Sequence, residues 1–341
     1  MTTSQTPSRT AQAQLMSLLT AKWLPPIVGV LAELRVADQL VDGPKTPQAL
    51  AGAVGAHPTA LRRVLRAAAS LGVFAEDDHG RFALTPPAQW LRSDVPGSLQ
   101  SAAVLFTLEP FWTPYAHIKH SVLTGEPAFD TVYGTTIYKY FAEHSEQAAL
   151  FGATAASFHA QGIADIAATH DFARYGTVVD VGGGSGALLA TILRANPGVR
   201  GVLFDQPDVI EQARTAATFD GLTDRVQFVA GDFFQSAPGG DALLIKSCLH
   251  NFGDEQAIQI LQAIRRAMPP HATLLVAETI VPAGNGQHYA KLDDIEMLVI
   301  AGGADRDERE YANLLAAAGF DVQQITNCGE RFSLIQAQPS A

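Results

Sequence analysis

Cysteine is nearly missing from this chain of 341 residues: Cys248 and Cys328 are the only two. Two thiols give no disulfide framework and no zinc ligand set, so neither a stapled secreted scaffold nor a zinc fold is expected, and a reducing cytoplasm fits best. Met1 to Thr10 is a polar, tail-like stretch without the charged start and apolar run of a signal peptide. An unbroken run of about 18 apolar residues, as a membrane span needs, is also wanting. Positive charge is in short supply, with 23 Lys and Arg against 34 Asp and Glu and a net charge of −11. Such a surface is a poor non-specific partner for nucleic acid or anionic lipid. No internal repeat or low-complexity segment stands out. What the chain has is 47% hydrophobic residues, enough for a sizeable core.

The N-terminal third is helical in pattern. Ala11 to Leu40 is interrupted by Pro25-Pro26. Thr46-Pro47 and His57-Pro58 each place a helix start ahead of a proline at the first helical position. Leu61, Val64, Leu65, Ala68 and Leu71 then form one apolar stripe. Val73 to Leu84 predicts a hairpin turning at Asp77-Asp78-His79-Gly80. Helix, helix, hairpin is a winged-helix arrangement, assigned to residues 11–98. Residues 99–170 lack strand patterning and are rich in aromatics; they are expected to be helices linking two domains. From 171 to 341, strands at 177–182, 200–205, 226–232, 241–246 and 272–278 alternate with helices at 186–195, 207–217, 254–267 and 307–318. Apolar runs at 320–326 and 331–337 pair as an edge hairpin. Alternation of this kind implies a doubly wound α/β sheet, mostly parallel, with its ligand at the carboxyl ends of the strands.

The strand ends carry the chemistry. Thr177 to Gly186 reads as a buried strand running into a glycine turn, and Asp205 follows 25 residues after Asp180. Glycines let the backbone approach a nucleoside ligand, and an acid at the second strand end takes ribose hydroxyls. Asp180, Asp205, Asp232 and Lys246 end four successive strands. The carboxylates suit a ligand bearing an ammonium and a sulfonium rather than a pyrophosphate. Asp232 can accept from an adenine amino group while Phe233 packs on the ring. The plain alternatives are helix caps at Asp205 and Asp232 and a solvated charge at Lys246.

Asp180-Val-Gly-Gly-Gly-Ser-Gly186, Phe204-Asp-Gln-Pro-Asp-Val209, Gly231-Asp-Phe-Phe234, Leu249-His-Asn-Phe-Gly-Asp-Glu255 and Val276-Ala-Glu278 occur in that order. Together they resemble the small-molecule O-methyltransferases of the plant caffeate and bacterial phenazine or polyketide type, over residues 11–337. The resemblance implies a class I methyltransferase sheet behind a winged-helix dimerisation domain, hence a homodimer, with no nucleic acid or membrane partner. It implies S-adenosylmethionine as cofactor, S-adenosylhomocysteine as product, and no metal. Gly182, Gly183 and Gly184 would hold the methionine moiety, beside Asp180. Asp205 and Gln206 would take the ribose, Asp232 and Phe233 the adenine, with Lys246, Ser247 and Ser157 as further contacts.

Methyl transfer from a sulfonium to a phenol asks for an oxygen in line with the methyl carbon and a base for its proton. His250, just past the fourth strand, is the candidate base, since imidazole is mostly neutral at pH 7. Glu278 is expected to fix the second ring nitrogen. A second family acid position matches Asp305 in Gly302-Gly-Ala-Asp-Arg306. Asn251 stands where the family usually has aspartate. Phe106, Trp112, Tyr115, Phe158 and Met297 are the candidate acceptor walls, although aromatics in such a region are more often plain core. Two rivals remain. Arg62, Arg63 and Arg66 on the second winged-helix helix would serve a DNA-binding regulator. A methyltransferase fold can also host C- or N-methylation, hydroxylation or decarboxylation.

Overall fold

The computed structural model describes residues 9–340; the tail-like expectation for residues 1–8 lies outside the described residues. The chain divides into two compact units, one reaching Thr113 and including Tyr138–Phe158, the other made of Pro114–Ile137 and the chain from His159 onward.

In the first unit Arg9–Thr20 is already helical, so the expected tail ends before Arg9. A single 3₁₀ turn, Ala21–Trp23, separates it from the helix Leu24–Glu33. Pro25 and Pro26 sit in the first turn of that second helix, where a missing N–H costs nothing. Against the expectation, Arg9–Glu33 is long and apolar enough to cross a membrane by length and composition, with a mean hydropathy of 1.5 and 17% of that window buried. The averaging tolerates the interspersed Ser, Thr and Gln that break the run of apolar residues. Thr46 Oγ1 accepts from the Ala49 amide and starts Pro47–Val54. His57 Nδ1 accepts from Ala60 and starts Pro58–Ser70. The hairpin follows as β1 (Phe74–Glu76) and β2 (Phe82–Leu84). Leu31, Leu50, Leu65, Phe74 and Phe82 close its core. Leu71 falls outside the stripe: it caps the helix C-terminus and is exposed.

In the second unit the sheet runs β5 (Val226–Ala230), β4 (Arg200–Asp205), β3 (Thr177–Val181), β6 (Ala242–Lys246), β7 (Thr273–Glu278), β9 (Phe332–Pro339), β8 (Phe320–Cys328). The first five are parallel; β9 runs antiparallel to β7 and to β8. Side chains alternate between two cores. Val178 and Leu244 face Leu189, Ile192 and Ile166. Val179, Leu243 and Ile245 face Ile260, Leu261 and Leu314 on the helices Asp254–Ala267 and Glu308–Ala317. Two strands end sooner than expected, at Val181 and Ala230, where Gly182 and Gly231 begin the turns. The sequence reading missed one element, the helix Ala290–Glu296 continued by a π turn at Met297–Ala301. A π turn often accompanies a functional site.

Candidate functional site

The site is built on the carboxyl ends of β3, β4, β6 and β7. After β3 the chain must reverse against its neighbours. Gly182 holds φ +67°, a left-handed conformation that L side chains rarely adopt, and a Cβ there would lie 2.7 Å from Cys248 Sγ. Above Gly184, by contrast, there is nothing within 4 Å of where a Cβ would stand, so the turn is packed below and open above. The Gly184 N–H donates to Asp205 Oδ2 at 2.8 Å, and Gln206 N donates to Oδ1 at 2.7 Å. Burial pushes the Asp205 carboxyl up against these two donors. Asp180 is 2% exposed, and burial drives its pKa to about 7, opposed by the Lys246 charge.

Lys246 closes this end of the sheet. Its Nζ donates to His159 Nδ1 at 3.1 Å and to Ser247 Oγ at 3.2 Å, and lies 5.0 Å over the Phe332 ring. Burial lowers the lysine pKa, with Glu278 and Asp180 resisting. Burial and the Lys246 charge also push His159 down to about 3, which keeps it neutral. Nothing in the sequence singled out this pairing; only tertiary packing brings His159 to Lys246. Ser247 holds φ +49°, a strained position for a serine, directly at the strand end.

Asp232 is occupied locally. Its Oδ1 accepts from Phe234 N and its Oδ2 from Gln235 Nε2, which is the turn-capping alternative in action. Phe233 packs at 6.0 Å from Phe252, and its Cε1 lies 3.4 Å from the Cβ position of Gly182. Phe106, Trp112, Ser157 and Phe158 belong to the first unit, where Phe106 and Phe158 pack at 5.8 Å. Tyr115 and Met297 belong to the second; Tyr115 donates its hydroxyl to Glu296.

His250 lies in the single 3₁₀ turn Leu249–Asn251 after β6. Its Nδ1 is 3.1 Å from Asp305 Oδ1, whose side chain is fully buried. Here the geometry corrects the expectation for Glu278. Glu278 Oε1 accepts the amides of Cys248 at 2.9 Å and Leu249 at 2.8 Å, fixing the turn rather than the ring, and Oε2 is buried without a partner. Asp305 is the group on the imidazole. Burial disfavours the charged ring, but Glu278, the Asp305 hydrogen bond and charge, and Asp293 outweigh it and raise the His250 pKa. Burial likewise raises Glu278, against the pull of His250 and the two amides.

Two features hold Asp305 in place. Ala304 N donates to His250 O at 2.8 Å, and a Cβ on Gly303 would lie 1.9 Å from that same oxygen, so only glycine permits the approach. Arg306, 3% exposed, donates to Leu249 O, Ala304 O and Phe252 O and pairs with Asp254 Oδ1 at 2.8 Å. It clamps the turn carrying the histidine. Asn251 Nδ2 donates to Ser247 O at 3.2 Å. The missed helix Ala290–Glu296 supplies Asp293, whose ligand oxygen lies within 4.8 Å of a ring nitrogen of His250 and an oxygen of Asp305. No sequence signal tied it to His250, because it arrives from an element that the strand–helix alternation does not predict. A cleft of about 470 Å³ opens among Ile280, His288, Arg331 and Phe332, and His250 is not one of its walls.

Polar side chains thus converge at one end of a doubly wound sheet, on a glycine turn and an imidazole backed by a carboxylate. The model of the O-methyltransferase domain matches residues 115–321, and the model of the O-methyltransferase dimerisation domain matches residues 16–94. The chain is 37% identical over 326 residues to the phenazine O-methyltransferase of Lysobacter antibioticus, covering 95% of each chain. It is 34% identical to the 8-amino-8-demethylriboflavin N,N-dimethyltransferase of Streptomyces davaonensis, over 98% of this chain and 97% of that one. Among solved structures, a methyltransferase of calicheamicin biosynthesis in its S-adenosylhomocysteine-bound form superposes with a TM-score of 0.86 at 36% identity, covering 98% of this chain and 100% of that one. The protein belongs to the O-methyltransferase family with an N-terminal dimerisation domain.

Proposed function

We propose that this enzyme moves a methyl group from S-adenosylmethionine to a hydroxyl of a small aromatic secondary metabolite, with His250 as general base. The observation that carries the reading is the imidazole backed by a buried carboxylate at 3.1 Å, on the same end of the sheet as an open glycine turn with Asp205 beneath it. The residues fit the cofactor. Nothing lies within 4 Å of where a Cβ of Gly184 would stand, and Asp180, Asp205 and Glu278 gather carboxyl oxygens that would receive an ammonium and a sulfonium. Gly182, Gly183, Gly184 and Asp180 would hold its methionine part, with Ser157 as a further contact. Asp205 and Gln206 would hold the ribose, and Asp232 and Phe233 the adenine. Lys246 and Ser247 would line the same pocket.

The bound sulfonium supplies an electrophilic methyl carbon. His250 does the proton chemistry: with Nδ1–H on Asp305, Nε2 is left as the acceptor for the phenolic proton. The proton ends on the imidazole, the methyl on the oxygen, and Asp305 stabilises the imidazolium. Glu278 and Arg306 keep the turn rigid so that the nitrogen stays on line. Phe106, Trp112, Phe158, Met297 and Asn251 would orient the acceptor. Domains at 11–98, 99–170 and 171–341 follow, with the first joining two copies into a homodimer. Its exposed Leu15, Leu18, Leu19 and Trp23 favour that assembly.

N-methylation is the second reading, favoured by the dimethyltransferase relative. One experiment separates them. A panel of phenols and anilines is incubated with S-adenosylmethionine and scanned by mass for methyl gain, with wild type and His250→Ala. Phenol methylation that drops about 10²- to 10⁴-fold in the variant supports the base. Methylation of anilines alone, undiminished in the variant, refutes it.

A further inference from the structure

We propose that His159 is a positioning residue for the cofactor: as a neutral imidazole it holds the Lys246 ammonium still, so that a charged donor of fixed direction meets the ligand. The inference rests on the reading of Lys246 as a wall of the S-adenosylmethionine pocket.

The placement begins in the helix Ser145–Thr169. His159, Gly162, Ile163 and Ile166 recur at i, i+3, i+4 and i+7 and form one face. Ile166 is fully buried in the core that lies on the sheet, and Ile163 packs against that core. Gly162 lets the helix settle onto the start of β9, because a Cβ there would run into the Phe332 ring. One turn earlier the same face sets His159 edge-on to that ring, with centroids 5.6 Å apart and planes at 72°. Lys246 Nζ stands 5.0 Å from the same ring. Histidine and lysine therefore meet beside a phenylalanine that only the glycine allows so close.

The contact has one chemical sense. An ammonium has three N–H donors and no acceptor, so at 3.1 Å it is Nδ1 that accepts, and the ring proton sits on Nε2. Ser247 Oγ takes a second N–H at 3.2 Å. Among the described residues no third acceptor lies within hydrogen-bond distance of Nζ, which leaves one N–H for a ligand. The charges explain why a histidine suits this place. The Asp180 and Glu278 carboxyls and the Cys248 thiol already favour the ammonium, and Arg331 opposes it. A further carboxylate would draw Lys246 into an ion pair of its own. A neutral acceptor orients the ammonium and leaves its charge to the ligand. Burial, with the charges of Lys246, Arg331 and His250, keeps the ring in that neutral form. Lysine is a long, flexible side chain, and ordering it before the cofactor arrives removes that cost from binding.

S-adenosylhomocysteine is titrated calorimetrically into full-length wild type, His159→Leu, His159→Asn, Lys246→Met and the double variant His159→Leu/Lys246→Met. Turnover of a phenolic acceptor with S-adenosylmethionine is followed in parallel. Leucine and asparagine branch alike where Nδ1 stands, and only asparagine carries an acceptor there. The expected result is an affinity about tenfold lower in His159→Leu, recovered to within about threefold of wild type in His159→Asn. In the Lys246→Met background the leucine substitution costs less than about twofold more, because its effect passes through the lysine. In both single His159 variants KM for S-adenosylmethionine follows the affinity, and the acid limb of kcat/KM for the phenol stays where it was. Should the leucine variant melt below the assay temperature, His159→Ala is set against His159→Asn instead. Wild-type affinity without the acceptor, no recovery with asparagine, or an equal loss with and without Lys246 overturns the proposal. The expected affinities without methyl transfer to any acceptor would leave the positioning role standing and sink the proposed function; methyl transfer with His159→Leu binding as wild type does the reverse.

Discussion

Replacing Asp305 by asparagine isolates the charge behind the base. Asparagine keeps an oxygen that can accept the Nδ1–H of His250 and fits the fully buried position, so the ring stays oriented while the negative charge goes. An opposite charge at hydrogen-bond distance shifts a partner's pKa by about 1 to 3 units. His250 is raised in the wild type, and a base works only when neutral, so activity is lost as pH falls through that raised value. Without the carboxylate the value drops, and the acid limb of kcat/KM moves to lower pH by about 1 to 3 units. The plateau falls as well. A shift of that size is about 1.4 to 4 kcal/mol of imidazolium stabilisation. With the proton about half transferred in the transition state, half of it is felt, which is about 3- to 30-fold in rate. The assay is kcat/KM for a phenolic acceptor between pH 5 and 9, checked for cofactor affinity by calorimetry. An acid limb that stays put or moves to higher pH refutes the assignment of Asp305 as the group that sets the base.

Asp205→Ala removes the partner of the Gly184 and Gln206 amides, and S-adenosylmethionine affinity measured by calorimetry should fall by about 10- to 100-fold, the worth of one or two charge-assisted hydrogen bonds; unchanged affinity excludes it from the cofactor site. Arg306→Ala takes the guanidinium donor from the Phe252 carbonyl, at about 1 to 3 kcal/mol, and leaves the Leu249 carbonyl with the Phe252 amide alone, so the melting temperature should drop by several degrees and kcat should fall with it. Arg306→Lys should rescue little, because a single ammonium cannot span carbonyls that a planar fork reaches together.

Much of the second unit was legible because its signals are local. The continuous buried runs of β3 and β6, the glycine turn at 182–186 and the helix of Asp254–Ala267 each follow from neighbouring residues. The winged-helix hairpin is equally local, its turn fixed by Asp77 accepting the amides of His79 and Arg81. His250 was singled out because it stands just past a strand end within Leu249-His-Asn-Phe-Gly-Asp-Glu255, a motif that resembles the family's. Strand order adds a further limit: the antiparallel return of β9 beside β7 was readable as an edge hairpin but not as a neighbour of that particular strand.

Roles shared across long separations were not legible. Glu278 and Asp305 are 27 residues apart and both lie near the imidazole, and nothing in their spacing says which one touches it. Packing decides: Glu278 meets two backbone amides at its own strand end, and the Gly303 approach delivers Asp305 to the ring. His159 on Lys246 and Asp293 beside His250 belong to the same class, joined by contacts 87 and roughly 43 residues apart in the chain. By itself the sequence determined the sheet, its glycine turn and the place of His250 just past a strand end, because hydrophobic period and turn chemistry act between near neighbours. Only the tertiary structure decided which carboxylate touches that imidazole and which lysine, histidine and arginine hold the surroundings, because hydrogen bonds are made by distance in space and not along the chain.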